Sequence, residues 1–345
     1  MLYIAPKGIS SGIFHSQIYM PALALVKNGQ KTAIAVHVND RENYSNINGV
    51  QNIYYNKHVE LKHLFKEFKK IYVREFYDFF SIYFLVKLFT KSKIHYSFRG
   101  AVFIESFYRN KNYLNMIVLY LAEFIVYHLA DELSCVSKQM KEYLHKSFFA
   151  KRDITVQYCG ITSVYLKSKY QHSLHFVYLG GLSKWQKVDE ALNIYKFIHK
   201  NIKKEIRFSL VTQDLDNAEK LVIKKDQKKY NINILALKPE KVPAFLQTCD
   251  FGFLLRENST VNKISSPVKF LEYTANGVIP IISAHVGDYS EDVTKNNIGI
   301  CLKSNDTLDQ KLIININHFI GDNSVFQRLY SYSKKFIWEI LILAR

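Results

Sequence analysis

Short apolar runs alternate along the chain with longer stretches in which apolar positions recur every third or fourth place. The first pattern fits a strand buried on both faces and the second an amphipathic helix, so the alternation predicts an α/β fold with parallel sheets. Leu2–Ala5 reads as a strand, followed by the loop Pro6-Lys7-Gly8-Ile9-Ser10-Ser11-Gly12 and a helix over Phe14–Lys27 that Asn28-Gly29 ends. Thr32–Val38 is a second strand, residues 53–94 alternate short strands with basic-aromatic helices, and Lys93–Gly100 is a strand entering a loop. Tyr113–Ala130 is apolar and long enough to suggest a membrane span, but Asn115, Glu123 and His128 interrupt it, and a charge mid-span is costly. A membrane span is therefore not expected there. A strand ending in Val136-Ser137 and a helix over Lys138–Lys146 come next, and Ile154–Gly160 closes the first half.

Residues 161–172 are polar and irregular, and read as a linker. The pattern then restarts with a strand at Leu174–Leu179, a turn from Gly180 to Lys187, and a helix from about Val188 to His199. Further strands are expected at Ile206–Val211, Ile232–Leu235 and Cys249–Leu255, with a short helix over Pro243–Thr248. In Ser265–Ser283, Ser266 reads as an N-cap and Pro267 as the first helical residue. That helix ends near Asn276-Gly277, where a glycine suits a left-handed cap, and Val278–Ile282 is a short buried strand marred by Pro280. Ile298–Leu302 reads as a last strand, and residues 307–320 and 323–345 as helices.

The totals narrow the picture. The chain has 345 residues, 48% hydrophobic and 14% aromatic, which fits a packed globular protein and excludes a disordered one. A net charge of +17 draws it toward polyanions: nucleic acid, an anionic membrane face or phosphorylated ligands. Cys135, Cys159, Cys249 and Cys301 are scattered singly, which points away from a zinc site or a disulfide framework and fits a reducing cytoplasm. The first residues lack the basic leader of a signal peptide. Lys57, Lys62, Lys66, Lys69 and Lys70 lie near Phe65, Phe68 and Tyr72, ahead of the aromatic run Phe76–Phe89. Such a stretch either holds a protein on an anionic bilayer or forms a solvated lysine face over an aromatic core.

The candidate chemistry is anion binding. A strand, a glycine-containing loop and a helix place backbone N–H groups where a phosphate can sit, although no GxGxxG fingerprint is present. The helix start at Ser266 does the same. Lys269 and Glu272 lie at i and i+3 on one face, the cation placed to support a phosphate and the carboxylate to accept sugar hydroxyls; a capped helix with a solvated pair is the ordinary alternative. Arg256, at a strand's carboxyl end, offers a fork that matches a diphosphate, or else a partner for Glu257.

Residues 254–289, LLRENSTVNKISSPVKFLEYTANGVIPIISAHVGDY, resemble the donor-sugar motif of glycosyltransferases with the GT-B fold. The likeness is to the retaining family (family 4-like) of bacterial capsule, O-antigen and teichoic-acid assembly, and weaker similarity covers much of the chain. It implies two Rossmann-like, doubly wound domains facing across a cleft. Residues 1–165 would hold the acceptor and 166–325 the nucleotide sugar. A final helix over 326–345 would return to the first domain through Trp338 and Leu341–Leu343. Gly8, Gly12 and His15 would line the acceptor side, His15 being otherwise a surface histidine. Arg99 and Glu105 match an Arg-Gly pair and a following acid, and either bind an acceptor phosphate or pair with each other.

In the resembled family an arginine and a lysine near the first glycine of the second domain grip the donor diphosphate. Here those places are Gly181 and Gln186, so Lys184 or Lys187 would substitute. A further glutamate of the family signature is replaced by Ile264. The implied reaction moves a sugar from a UDP- or GDP-sugar to a lipid-linked glycan acceptor, without metal or cofactor, on the inner face of the cytoplasmic membrane. Arg256 and Lys184 would act on the leaving group, and Gly180, Gly181, Ser265, Ser266, Lys269 and Glu272 would hold the donor. A nucleic-acid partner is not expected. The alternatives are a GT-B protein that binds membrane or glycan without turnover, and a nucleotide-sugar epimerase.

Overall fold

The computed structural model describes residues 1–44, 49–170, 172–303, 308 and 310–343. It divides into two compact units: Met1–Thr162 with Trp338–Arg345, and Ser163–Ile337.

The first unit holds a seven-stranded parallel sheet of β1 (Leu2–Ile4), β2 (Ala33–His37), β3 (Gln51–Tyr55), β4 (Lys70–Val73), β5 (Lys93–Phe98), β6 (Glu132–Cys135) and β7 (Ile154–Val156). Their spatial order is β3-β2-β1-β4-β5-β6-β7. The central strands are covered on both faces, as their unbroken apolar sequences require: Leu2, Ile4, Ala33, Ile34, Ala35 and Val36 are fully buried. Strand order reverses between β1 and β4, and such a reversal opens a crevice at the carboxyl ends of the strands.

The helix expected over Phe14–Lys27 is interrupted. A wide π-helical turn covers His15–Tyr19, and the regular helix α1 is Met20–Lys27, with Pro21 in its first turn. Three further helices matter below: α2 (Phe76–Phe89), α3 (Val102–Asn110) and α4 (Tyr113–Leu129). The charge that spoils α4 as a membrane span has a structural use. Glu123 is buried and its carboxylate accepts the backbone N–H groups of Val102 (3.3 Å) and Phe103 (3.4 Å), so one helix caps the start of another. Among the described residues no helix is long and apolar enough to cross a membrane.

The second unit holds β8 (Leu174–Leu179), β9 (Ile206–Val211), β10 (Ile232–Leu235), β11 (Phe251–Leu254), β12 (Ile279–Ser283) and β13 (Ile300–Leu302), ordered β10-β9-β8-β11-β12-β13 and all parallel. Here the reversal lies between β8 and β11. Pro280 is tolerated inside β12 for a positional reason. Ile279 N–H donates to Asp250 beside β11, so by alternation Pro280 faces the other neighbour, and β13 pairs only from Ile300 onward.

Helices α5 (Val188–Asn201) and α6 (Val268–Ala275) follow β8 and precede β12. Helix α6 ends as its sequence requires, with Asn276 at the C-cap and Gly277 at φ +73°. Its start differs from expectation. Pro267 occupies the cap position, and no side chain caps the helix; the Ser266 hydroxyl has turned to Tyr289 Oη, 2.8 Å away. The stretch read as a linker is anchored: Lys167 is buried, and its Nζ reaches Cys249 O and Asp250 Oδ1, both at 2.6 Å.

The last helix, α7 (Trp338–Leu343), packs in the first unit. Trp338 is 1% exposed and lies in the cluster of Tyr3, Phe14, Ile18 and Tyr72. Its backbone N–H donates to Ile161 O (3.1 Å), and Lys27 pairs with Glu339 at 3.1 Å. Thr307 and Asp309, at the head of one expected helix, and Ala344 and Arg345, at the end of the other, lie outside the described residues.

Candidate functional site

In the second unit the reversal point collects an unusual group of side chains. Strand β8 ends at Gly180, whose φ of +132° and tight surroundings suit glycine alone. A Cβ there would stand 2.6 Å from Lys269 Nζ. Lys269 comes from the first turn of α6 and donates to Gln186 Oε1 (2.9 Å), which also accepts from Tyr178 Oη (2.8 Å). The ammonium lies 4.4 Å from the centre of the Tyr178 ring. Arg256 follows β11, its backbone N–H held by Ser283 Oγ at 2.9 Å. Its guanidinium is buried against the Trp185 ring, 4.4 Å from the ring centre. The next residue fixes that stack, because Glu257 N–H donates to Trp185 O (3.2 Å).

Arg256 has no acid acting on it, and Lys269 is drawn by Glu272 without pairing with it. No carboxylate pairs with Arg256 among the described residues, so the Glu257 alternative is not realised, and Arg256 Nη1 is buried with no hydrogen-bond partner. Burial lowers the Arg256 guanidinium to about 10. Burial also carries Lys269 well below its ordinary value, and the Arg256 charge pushes the same way. Glu272 is raised by burial and drawn back by Lys269. Two adjacent like charges, one of them buried with an orphaned N–H donor, are disfavoured alone and relieved by an anion.

The other residues singled out in the sequence fall as follows. Gly181 adjoins this group, its carbonyl accepting from Tyr178 Oη at 2.5 Å. Lys184 is exposed on a short turn and its side chain has no partner among the described residues, and Lys187 is taken by Glu190 at 2.7 Å. The cations that reach the Gly180 turn are therefore Arg256 and Lys269, brought by other elements. Ser265 and Ser266 stand beside α6, but their hydroxyls are engaged, Ser265 Oγ with Asn262 O (2.8 Å) and Ser266 Oγ with Tyr289. The uncapped N–H groups of α6 remain. Sequence reasoning passed over Trp185, Tyr178 and Gln186 as contributors, and the only signal for Trp185 was its place within the turn.

The first unit has its own crevice at the ends of β4 and β5. A cavity of about 130 Å³ is lined by Arg74, Glu75, Arg99, Gly100, Glu105 and Glu123, among others. Arg99 Nη2 donates to Tyr72 Oη (2.7 Å), and its Nε and Nη1 are buried without partners. Arg74 Nη1 donates to Gln17 Oε1 (2.8 Å), and its Nε lies 3.7 Å from Glu75. Burial alone would raise the Tyr72 phenol, yet the charge and hydrogen bond of Arg99, with Arg74 beyond, bring it below its ordinary value. Glu75 and Glu105 are raised by burial, and Glu123 is raised by burial to about 8. Arg99 and Glu105 do not pair; Glu105 instead packs against Gly100, where a Cβ would meet its Oε1. Gly8 and Gly12 leave open space around them, but the Gly8 N–H is already given to Asp40 Oδ2 (2.9 Å), and His15 is exposed. Arg74 had escaped notice because Arg74-Glu75 reads as a local charge pair.

Comparison with known proteins bears on both units. Residues 167–336 match the family described as Glycosyl transferases group 1. An uncharacterized glycosyltransferase of Methanocaldococcus jannaschii is 25% identical over 144 residues, which is 39% of this chain and 37% of that protein, well under two thirds of its length. Among solved structures, sucrose-phosphate synthase of Thermosynechococcus elongatus superposes with a TM-score of 0.69 at 15% identity, over 99% of this chain and 96% of the other. HepE of Anabaena, solved with UDP and glucose, gives 0.70 at 11% over 99% and 97%. WaaG, a glycosyltransferase involved in lipopolysaccharide biosynthesis, gives 0.65 at 10% over 99% and 98%. The chain thus has the GT-B fold of these structures, and the match to glycosyl transferases group 1 falls within its second unit.

Proposed function

We propose that the protein is a glycosyltransferase that takes a sugar from a nucleoside diphosphate donor held in the second unit. The observation that carries this is a pair of cations, buried Arg256 and half-buried Lys269, converging on the Gly180 turn with no salt bridge to either among the described residues. In glycosyl transfer the difficulty lies in the leaving group, which gathers negative charge as the glycosidic bond lengthens. Cations and helix N–H groups already in place there stabilise that charge without reorganising. Lys269, the start of α6 and Arg256 supply them. Glu272, half-buried with no hydrogen-bond partner for its carboxylate among the described residues, is suited to sugar or ribose hydroxyls. UDP bound to HepE is consistent with a uridine or guanosine diphosphate sugar here.

The finer reading places the acceptor on the first unit. The orphaned N–H groups of Arg99 suit a phosphate of a lipid-linked glycan, and Glu105 and Glu75 suit its hydroxyls. Surface-polysaccharide assembly, a hexosyl donor, retention at the anomeric carbon and work at the inner face of the membrane complete the proposal. The test is a thermal-shift screen of UDP, GDP and their sugars. Protection by one of them in the wild type, lost in Arg256→Ala, is the expected result. Equal protection in both proteins would remove the donor site from this place.

A further inference from the structure

Helices α2 and α4 pack side by side in the first unit, and each turns an apolar stripe to solvent. On α2 the stripe is Tyr77, Phe84 and Leu88, 72%, 69% and 71% exposed, with Phe80 between them. On α4 it is Leu114 and Val118, 77% and 63% exposed, continuing through Leu121 and Ile125. The spacing is that of one side of a helix, and it is the side where charged residues normally stand. The helices have 14 and 17 residues, so the stripes run roughly 20–25 Å. An apolar surface of that extent on a single chain marks an interaction site.

The chemistry of the partner is written at the foot of α2. Directly after Phe89 the chain enters an open bowl of about 560 Å³, lined by Lys66, Lys69, Lys70, Lys91 and Lys93. Lys62 Nζ lies 3.3 Å from the centre of the Phe89 ring at its edge. The local acids are already engaged: Glu132 with Lys70 at 2.7 Å and Lys93 at 3.7 Å, and Glu67 with Lys31 at 2.7 Å. The hydrogen bond of His95, and then that of Lys70, hold Glu132 down to about 2 against the opposing effect of burial. Lys66, Lys69 and Lys91 are exposed and have no carboxylate partner among the described residues. An apolar stripe ending in unneutralised lysines complements a surface that is apolar within and anionic at its rim. A second copy of this chain, itself at a net +17, is disfavoured there by net repulsion.

We propose that the α2–α4 face docks on an anionic lipid bilayer, with the stripes in the interfacial layer and the lysine bowl receiving lipid phosphate headgroups. This deepens the membrane part of the proposed function, and its test does not depend on turnover. The full chain is sedimented with phosphatidylcholine vesicles, with and without phosphatidylglycerol. The wild type should follow only the anionic vesicles, and less so as salt rises. Phe84→Glu with Val118→Glu should lower the bound fraction about tenfold. Lys66→Glu with Lys69→Glu and Lys91→Glu should abolish the preference for phosphatidylglycerol. All these positions are exposed, so thermal midpoints and nucleotide protection should stay as in the wild type, which separates failure here from failure of the donor site. Equal sedimentation with neutral vesicles, or variants that bind like the wild type, would overturn the proposal. So would a solution dimer that Phe84→Glu dissociates, or displacement by inorganic phosphate but not by chloride at matched ionic strength.

Discussion

Arg256 is buried with no acid acting on it, and Lys269 stands beside it with no ion pair among the described residues. On the proposed function, Arg256→Ala removes a preorganised donor from the departing diphosphate, and kcat should fall by about 10²–10³, measured with the donor found by the screen. Arg256→Lys should recover little, since a point charge cannot reproduce the guanidinium fork over Trp185. Lys269 makes a pH prediction. Its folded pKa lies well below the ordinary lysine value because burial penalises the charge. A depressed cation costs stability at neutral pH, and the cost is relieved as pH rises through the folded pKa. An anion beside it reverses the balance and favours the proton. Nucleotide binding should therefore take up protons and weaken on the alkaline side. Calorimetry in buffers of different ionisation enthalpy measures that uptake, and Lys269→Met should remove it.

At the scale of elements, two positions test how the turns and caps are set. Gly180→Ala forces a Cβ to within 2.6 Å of Lys269 Nζ in a backbone region that favours glycine. It should weaken nucleotide affinity about tenfold and cost roughly 1–3 kcal/mol in unfolding. Glu123 caps α3 from α4 and is raised by burial to about 8. A raised carboxyl gives stability that is present at low pH and lost as pH climbs from its unfolded value toward 8. Glu123→Gln should flatten the fall of the thermal midpoint between about pH 5 and 9. The strands at Leu174–Leu179 and Ile206–Val211 were legible because near-complete burial keeps them mostly apolar, broken by His175, Arg207 and Ser209. The end of α6 was legible because Asn276-Gly277 is a local signal. Its start was not, because the Ser266 hydroxyl found a partner in Tyr289, 23 residues further on. Lys184 was chosen for its place in the Gly180 turn, yet the ammonium at that turn comes from Lys269, 83 residues beyond Gln186. Partners so distant in sequence leave no spacing to read.

For the whole molecule, the return of α7 means that the first unit is built from both ends of the described chain. Trp338→Ala should cost about 3–5 kcal/mol. Because the indole lies within the first unit's core, the loss should fall on that unit's unfolding transition and leave the transition of residues 163–337 in place, which differential scanning calorimetry resolves. The two crevices divide similarly. Arg99→Gln should change acceptor KM and leave nucleotide protection unaltered, whereas Arg256→Ala should do the reverse.

One consequence of the Trp338 contact concerns synthesis. On the ribosome, the strands from Leu2 to Val156 emerge long before the indole that fills the space beside Tyr3, and the entire second unit is translated in between. The nascent first lobe therefore waits with an open hydrophobic seam while the later lobe gathers itself, and it closes only once residue 338 has cleared the exit tunnel. During that interval the seam and the apolar stripes of α2 and α4 are bare together.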